Sequence, residues 1–441
     1  MAKKSGKEKT VDRALPIVLF TIFLDLLGVG VLLPIIPQLL ANPSSHYYLL
    51  PAGWTFQGGL ILLGWLVAIY PLMQFLSTPI LGQLSDRFGR KPVLGFSIFG
   101  TAVGYILFAI GIITHNLPLL FFSRALDGIT GGNLSVAQAV IADVTPPKDR
   151  AKRFALIGAA FGAGFVLGPY LGAKLASPNI SFFGLFHTPH WFNPATPFWF
   201  TAILSFINLS LILLLLPETN KQLQRVKIKL TKSLSNIFTA ASYPGLRTVF
   251  PTIFLFWGGF AFFQTFFQVV LIQKLHFSAN NIGDFFAYIG IWIAIVQAVI
   301  TPMLAKRFKP YNILRFTFIG AGISLLLYLT ATNTKDLLWI TPIFAFFLGN
   351  SIANSLALVS MTADSHIQGE VLGINASVQS LAQAIPAAMS GYIAVIGVKT
   401  PVLVGGLTVI AGGILFLLIY RPSKKLLHQH YGGEAPIAAA H

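Results

Sequence analysis

Gly82-Gln83-Leu84-Ser85-Asp86-Arg87-Phe88-Gly89-Arg90-Lys91-Pro92-Val93-Leu94 lies between two apolar runs, 59–81 and 93–114. Each run exceeds the ~20 residues that carry a helix across a bilayer. Gly82 removes a side chain where a helix is expected to end or pack closely. Asp86 sets one negative charge among Arg87, Arg90 and Lys91. Gly89 permits the positive φ of a tight turn, and Pro92 suits the start of the next helix. Three cations in so short a connection place it on the cytoplasmic side.

Outward from this stretch, apolar runs recur near 16–40, 118–142, 154–176 and 197–217, then near 248–272, 282–304, 312–332, 337–360, 371–396 and 400–420. Twelve membrane helices are expected, since a helix satisfies its own backbone in lipid. The composition agrees. Of 441 residues, 55% are hydrophobic and 10% charged, against roughly 25% charged in soluble domains.

The net charge of +17 is distributed as topology. Lys3 to Arg13, the 82–92 turn, 144–153, 221–247, 306–315 and 421–425 hold nearly all the cations. The alternate connections hold Lys274, Lys335 and Lys399. This bias sets both termini in the cytoplasm and implies contact with anionic lipid instead of nucleic acid. The N-terminal segment is too long and polar for a signal peptide, so the run at 16–40 is expected to stay as the first helix. The expected division is a tail 1–14, a six-helix bundle 15–217, a central loop 218–247, a second bundle 248–421 and a tail 422–441. The aromatic, Pro-punctuated segment 177–196 is expected as an outer loop with Trp191 and Phe192 at the interface.

The halves repeat. Gln74 with Thr78-Pro79-Ile80-Leu81 returns as Gln297 with Thr301-Pro302-Met303-Leu304; Gly132-Asn133 returns as Gly349-Asn350, and Pro169 as Pro386. Parallel repeats of this kind set a substrate site between two bundles.

Few ionisable groups fall at membrane depth: Asp25, Arg124, Asp127 and, near an outer end, Lys174. Such groups are costly and mark pathways or proton relays. Asp25 enters its run from one face and Asp127 from the other, and both approach mid-depth. Arg124 and Asp127, at i,i+3, share a helix face. Either acid can carry a proton with Arg124 tuning it. Otherwise Arg124 is locked to Asp127 or to Asp25 as a structural pair. Lys174 reads as a snorkelling side chain.

Amides mark the second half. Asn375, Gln379 and Gln383 fall at i, i+4, i+8; Gln264 with Gln268 and Asn350 with Asn354 are i,i+4 pairs. They either join helices or line a substrate cavity.

The first stretch matches G-x-x-x-D-R-x-G-R-K, and the chain resembles the major facilitator superfamily in its drug:proton antiporter branch. The span 15–217 is similar to tetracycline-efflux exporters. The resemblance implies that Asp86 caps a helix of the other half and that Arg90 pairs with Asp143. Ser123-Arg124-Ala125-Leu126-Asp127-Gly128 resembles the helix-four signature whose Arg serves proton transfer. Gly164-Phe165-Val166-Leu167-Gly168-Pro169-Tyr170-Leu171-Gly172 resembles the helix-five antiporter signature. One departure is Gly104-Tyr105-Ile106-Leu107, where tetracycline exporters carry an acid. This counts against export of a tetracycline–metal chelate.

The expectation is therefore an all-α integral membrane protein of two six-helix bundles, monomeric and without cofactor or metal. Its expected activity is proton-coupled export of a small amphipathic drug or a metabolite such as a siderophore. Nutrient uptake and a transport-dead receptor are the competing readings. Catalysis has little support: there is no Cys, no metalloprotease or serine-hydrolase motif, and every His falls outside the runs. No phosphate-binding loop suggests ATP-driven pumping.

Overall fold

The computed structural model describes the backbone from Gly6 to Pro422, except Ala52, 146–149, 183–185, most of 221–245 and 363–367. Side chains at 6–13, at several positions in 150–161, at 182 and 186, at 368–370 and at 372 are not described. The central loop expected at 218–247 and the tails therefore lie largely outside the described residues.

Helices follow one another along the chain: α1 (Gly6–Leu40), α2 (Phe56–Phe88), α3 (Arg90–Ile113), and α4 (Leu117–Thr130), which passes through a 3-10 turn (Gly131–Asn133) into Leu134–Val144. Then come α5 (Arg150–Leu175), α6 (Thr196–Leu215), α7 (Leu246–Leu275), and α8 (Ala279–Ile295), which passes through a π turn (Val296–Ile300) into Thr301–Ala305. The rest are α9 (Pro310–Thr330), α10 (Thr334–Thr362), α11 (Gln368–Ile396) and α12 (Thr400–Ile419). Nine of the described helices are long and apolar enough to cross a membrane. The aromatic loop before α6 folds into a two-residue antiparallel hairpin, Ser181–Phe182 with Phe186–His187.

Two expectations are corrected. The first helix starts at Gly6 and not near 16, so most of the 1–14 tail is helical; a helix needs no apolar residues where it projects beyond lipid. Gly82 neither ends α2 nor serves close packing. The helix continues to Phe88, and a Cβ on Gly82 would meet only Ser135 Oγ, at 3.8 Å. The chain reverses at Gly89 alone, whose φ of 100° and ψ of 158° suit glycine.

Helices α1–α6 form one bundle and α7–α12 the other. The second is organised by a stripe of rings on α7: Phe256, Phe260, Phe263 and Phe267 are each 2% exposed or less. Phe263 stacks on Phe267 with centroids 4.4 Å apart and packs against Tyr328 and Phe344. Four rings at alternating i,i+4 and i,i+3 spacing face one way along a helix.

The bundles meet along α2–α11 and α5–α8. Toward the end away from Gly89 the contact is backbone-close. A Cβ on Gly64 would lie 2.8 Å from Ala387 O, and one on Gly391 would lie 2.6 Å from Ile61 Cα. Phe266, Val269 and Ala394 of the second bundle share a core there with Leu32, Ile35 and Leu63 of the first.

Candidate functional site

Polar groups gather at the buried Arg124–Asp127 pair, at the cavity beside it and, more exposed, around Gly89. The deepest is the acid–guanidinium group. Arg124 Nη1 donates to Asp127 Oδ2 at 2.6 Å, with both side chains almost fully buried. The guanidinium also lies over the Tyr70 ring, 4.5 Å from its centroid. Of the two pairings open to Arg124, the i,i+3 one forms. Asp25 instead accepts a hydrogen bond from Asn133 Nδ2 at 3.3 Å and forms no ion pair among the described residues. Asn133 reaches Asp25 because α4 tightens into its 3-10 turn there. A straight helix read from periodicity gives no sign of this. Tyr105 packs beside this group from α3. Its hydroxyl occupies the space a side chain on Gly28 would need, and Gly104 lets α3 close on Asp127.

Gln74 connects this region to the other bundle. Its Nε2 donates to Gly131 O at 2.9 Å, and its Oε1 accepts from Ser380 of α11 at 3.1 Å. The repeat containing Gln74 thus meets the interface, which the sequence suggested only as a register.

Beside the group lies a narrow cavity of about 70 Å³. That is below the ~300–1,000 Å³ of small-molecule sites, so the walls must move apart to admit a drug-sized ligand. Its wall comes from both bundles: Val29, Leu33, Leu63, Val67, Tyr70 and Arg124 from one; Ala261, Gln264, Gln268 and Gln383 from the other. Of the amides singled out by spacing, these three Gln line it. Asn350, Asn354, Asn375 and Gln379 are not among its lining residues. Asn350 accepts from Thr301 of the neighbouring helix and donates to Phe346 O, and Asn354 donates to Asn350 O; only the Thr301 bond joins two helices. Asn375 is buried with its Oδ1 unpartnered.

The third cluster surrounds Gly89. Arg90 donates from Nη1 to Asp86 Oδ1 (2.6 Å) and Ser85 Oγ (2.6 Å), and from Nε to Asp143 Oδ2 (3.1 Å). Arg87 lies over the Phe88 ring. Neither Arg87 nor Lys91 forms an ion pair among the described residues. Sequence reasoning missed Glu218, whose carboxylate accepts from the backbone N–H of Arg90 (2.9 Å) and Lys91 (3.1 Å). An acid at a helix N-terminus meets unpaired donors and the positive end of the dipole. Thr219 adds a bond to Asp143, and Asn220 one to Asp86 O. The signal lay in Glu218-Thr219-Asn220, polar residues placed just after an apolar run. A Cβ on Gly89 would fall 2.5 Å from Glu218 Oε2. Gly89→Ala therefore adds strain of ~1–3 kcal/mol and is expected to lower the thermal unfolding midpoint of purified protein. An unchanged midpoint would mean that the turn relaxes without cost.

On α5, Gly164, Gly168 and Gly172 face α1 of the same bundle. A Cβ on Gly168 would sit 2.7 Å from both Gly30 Cα and Leu27 O, and one on Gly172 2.6 Å from Val31 O. The Pro169 ring packs on Gly30 of α1, while its carbonyl lies beside Gly283 of α8. Near the same end Lys174, 8% exposed, pairs with Asp284 of α8 at 3.0 Å. It is held across the interface and does not snorkel alone. Among the described residues no cluster of His, Asp and Glu could hold a metal.

Comparison with known proteins follows the same lines. The sequence model of the Major Facilitator Superfamily matches residues 18–386. The class C tetracycline resistance protein of Escherichia coli is 30% identical over 380 residues, 84% of this chain and 87% of that protein. The quinolone resistance protein NorA of Staphylococcus aureus (strain MRSA252) is 26% identical over 424 residues, 95% of this chain and 99% of that one. Among solved structures, a D-xylose-proton symporter superposes with TM-score 0.72 at 16% identity, covering 94% of this chain and 98% of the other. The human organic anion transporter MFSD10 superposes with TM-score 0.70 at 22% identity, covering 94% and 100%.

Proposed function

Since the chain belongs to the Major Facilitator Superfamily and is a multi-pass membrane transporter, we propose that it exports a small amphipathic drug or metabolite in exchange for protons. One observation carries this reading. Asp25, half-buried at mid-membrane, faces an amide and no cation, while the neighbouring Asp127 is neutralised by Arg124. An acid held without a counter-ion is the group able to take and give a proton during a transport cycle. The names of the relatives, which are resistance proteins, support export over uptake.

In this reading the bundles rock about the cavity, and contacts made in one state break in the other. The Gly89 end is the cytoplasmic one, with both chain termini on that side. The Asp86–Arg90–Asp143 cluster there acts as a gate. Protons enter at Asp25, and Arg124 relays its state to the cavity wall it shares. The test is efflux in everted vesicles: compounds that a deletion strain fails to resist should accumulate only with the pH gradient imposed. Accumulation insensitive to dissipating that gradient would refute proton coupling.

At the opposite end, the Lys174–Asp284 pair would hold the bundles together. Asp284 is half exposed, with 53% of its side-chain surface open, so the pair contributes ~1 kcal/mol or less. Lys174→Glu is expected to slow efflux by about fivefold, and the swap Lys174→Glu with Asp284→Lys to restore it. A double variant as slow as the single one would remove the pair from the cycle.

A further inference from the structure

Gln268 is 1% exposed and lies on the cavity wall, yet neither its Oε1 nor its Nε2 has a hydrogen-bond partner. A buried amide with donor and acceptor both unpaired is costly. Its neighbours offer no relief: the Thr265 hydroxyl is spent on Ala261 O. Gln264 lies one turn away on the same face, and Gln383 of α11 lines the same cavity. The wall's one charge, Arg124, is tied through Nη1 to Asp127, and its buried Nε is also without a partner. No acid lines the cavity, so a cation entering it would meet no counter-charge. The remaining surface is aliphatic apart from the Tyr70 ring.

We propose that the cavity takes an uncharged amphipathic molecule whose polar edge sets a donor beside an acceptor, as in a carboxamide, lactam, imide or urea, and that Gln268 reads that edge. A side-chain amide pairs with another amide through two antiparallel hydrogen bonds, which satisfies both idle atoms at once. Gln264, Gln383 and Arg124 Nε supply further donors to the ligand's carbonyl. The proposal rests on the cavity being the transport site and adds the class of molecule it selects.

The probes share one ring system: 2-naphthamide, its N,N-dimethyl derivative, 2-naphthoate and 2-naphthylmethylammonium. Binding to the purified full chain in detergent is followed by isothermal titration. The primary amide is expected to bind about tenfold more tightly than the dimethyl amide, the difference one well-made hydrogen-bonded edge produces. It should also bind more tightly than either ion. Gln268→Met keeps the volume and helix propensity and should bring the two amides to within about twofold. Equal affinity of the two amides for the unaltered protein overturns the proposal. So does an ion bound as tightly as the primary amide, or no binding at ~1 mM. These tests need no variant, so a misfolded Gln268→Met does not shield the idea; a folded one that keeps the preference also overturns it. No gradient is present in this assay. An amide preference without gradient-driven efflux would defeat the exporter reading alone, and efflux without the preference would defeat this inference alone.

Discussion

Asp25→Asn is expected to abolish efflux driven by a pH gradient, lowering it on the order of a hundredfold or more, while substrate should still bind. Asn keeps the shape of the side chain, and Asn133 Nδ2, now 3.3 Å from Asp25 Oδ1, keeps an oxygen to bond. Only the titration is lost. The Arg124–Asp127 pair, at 2.6 Å, should persist, because Asp25 takes no part in it. Substrate binding by the variant should lose its dependence on pH. The deciding measurement is proton release on adding substrate to purified protein in weakly buffered detergent solution. Release from the Asn variant at the normal level would move the exchanged proton to Asp127. No release from the unaltered protein would make the transporter a proton-independent facilitator.

Gly391→Val is the second large effect expected. A Cβ there would lie 2.6 Å from both Ile61 Cα and Leu60 O, and these are backbone atoms that cannot rotate aside. Across the seam Gly64 faces the same constraint, 2.8 Å from Ala387 O and 3.0 Å from Gly391 N. The atoms crowding Gly391 belong to the other bundle, so each bundle should fold as before. What the substitution penalises is their approach. Overpacking of ~1–3 kcal/mol shifts a two-state equilibrium about 5- to 150-fold, toward the form in which α2 and α11 part at this end. Efflux should fall by that range while the amount of protein in the membrane is unchanged. The chain has no cysteine, so Leu33→Cys on the cavity wall can be labelled without background. In the Gly391→Val protein it should react faster with a membrane-impermeant maleimide added on the side of the 42–55 connection. Unchanged labelling and efflux would show that α2 and α11 do not separate there.

Much of this was legible because membrane helices are written locally. Apolar runs of sufficient length, interrupted by Gly89 and by charged connections, located the helices without tertiary information. Arg124 with Asp127 was readable for the same reason, since i,i+3 spacing is a property of one helix. What escaped depends on contacts distant in sequence or on local irregularity. Asn133 meets Asp25 only because α4 tightens at Gly131–Asn133. Asp284 meets Lys174 from the other bundle. Gln268 and Asn354 look alike as halves of i,i+4 amide pairs, yet one faces the cavity and the other bonds its own helix. Periodicity assigns residues to a stripe without saying what the stripe faces. Gly82 shows the opposite error, in which a glycine was read as a boundary where the helix simply continues.

The grip of Glu218 and Asn220 on the Gly89 turn has a mechanical consequence. The strand leaving α6 is fastened at the joint between α2 and α3, through Glu218 to the start of α3 and through Asn220 to the end of α2. The leash joining the two bundles is therefore anchored at a hinge instead of hanging free from the last turn of α6. Both fastenings converge on the joint that carries Arg90 and its two carboxylates. Under the rocking cycle proposed above, a pull on this segment would reach that cluster through Glu218 and Asn220 without any contact from the second bundle.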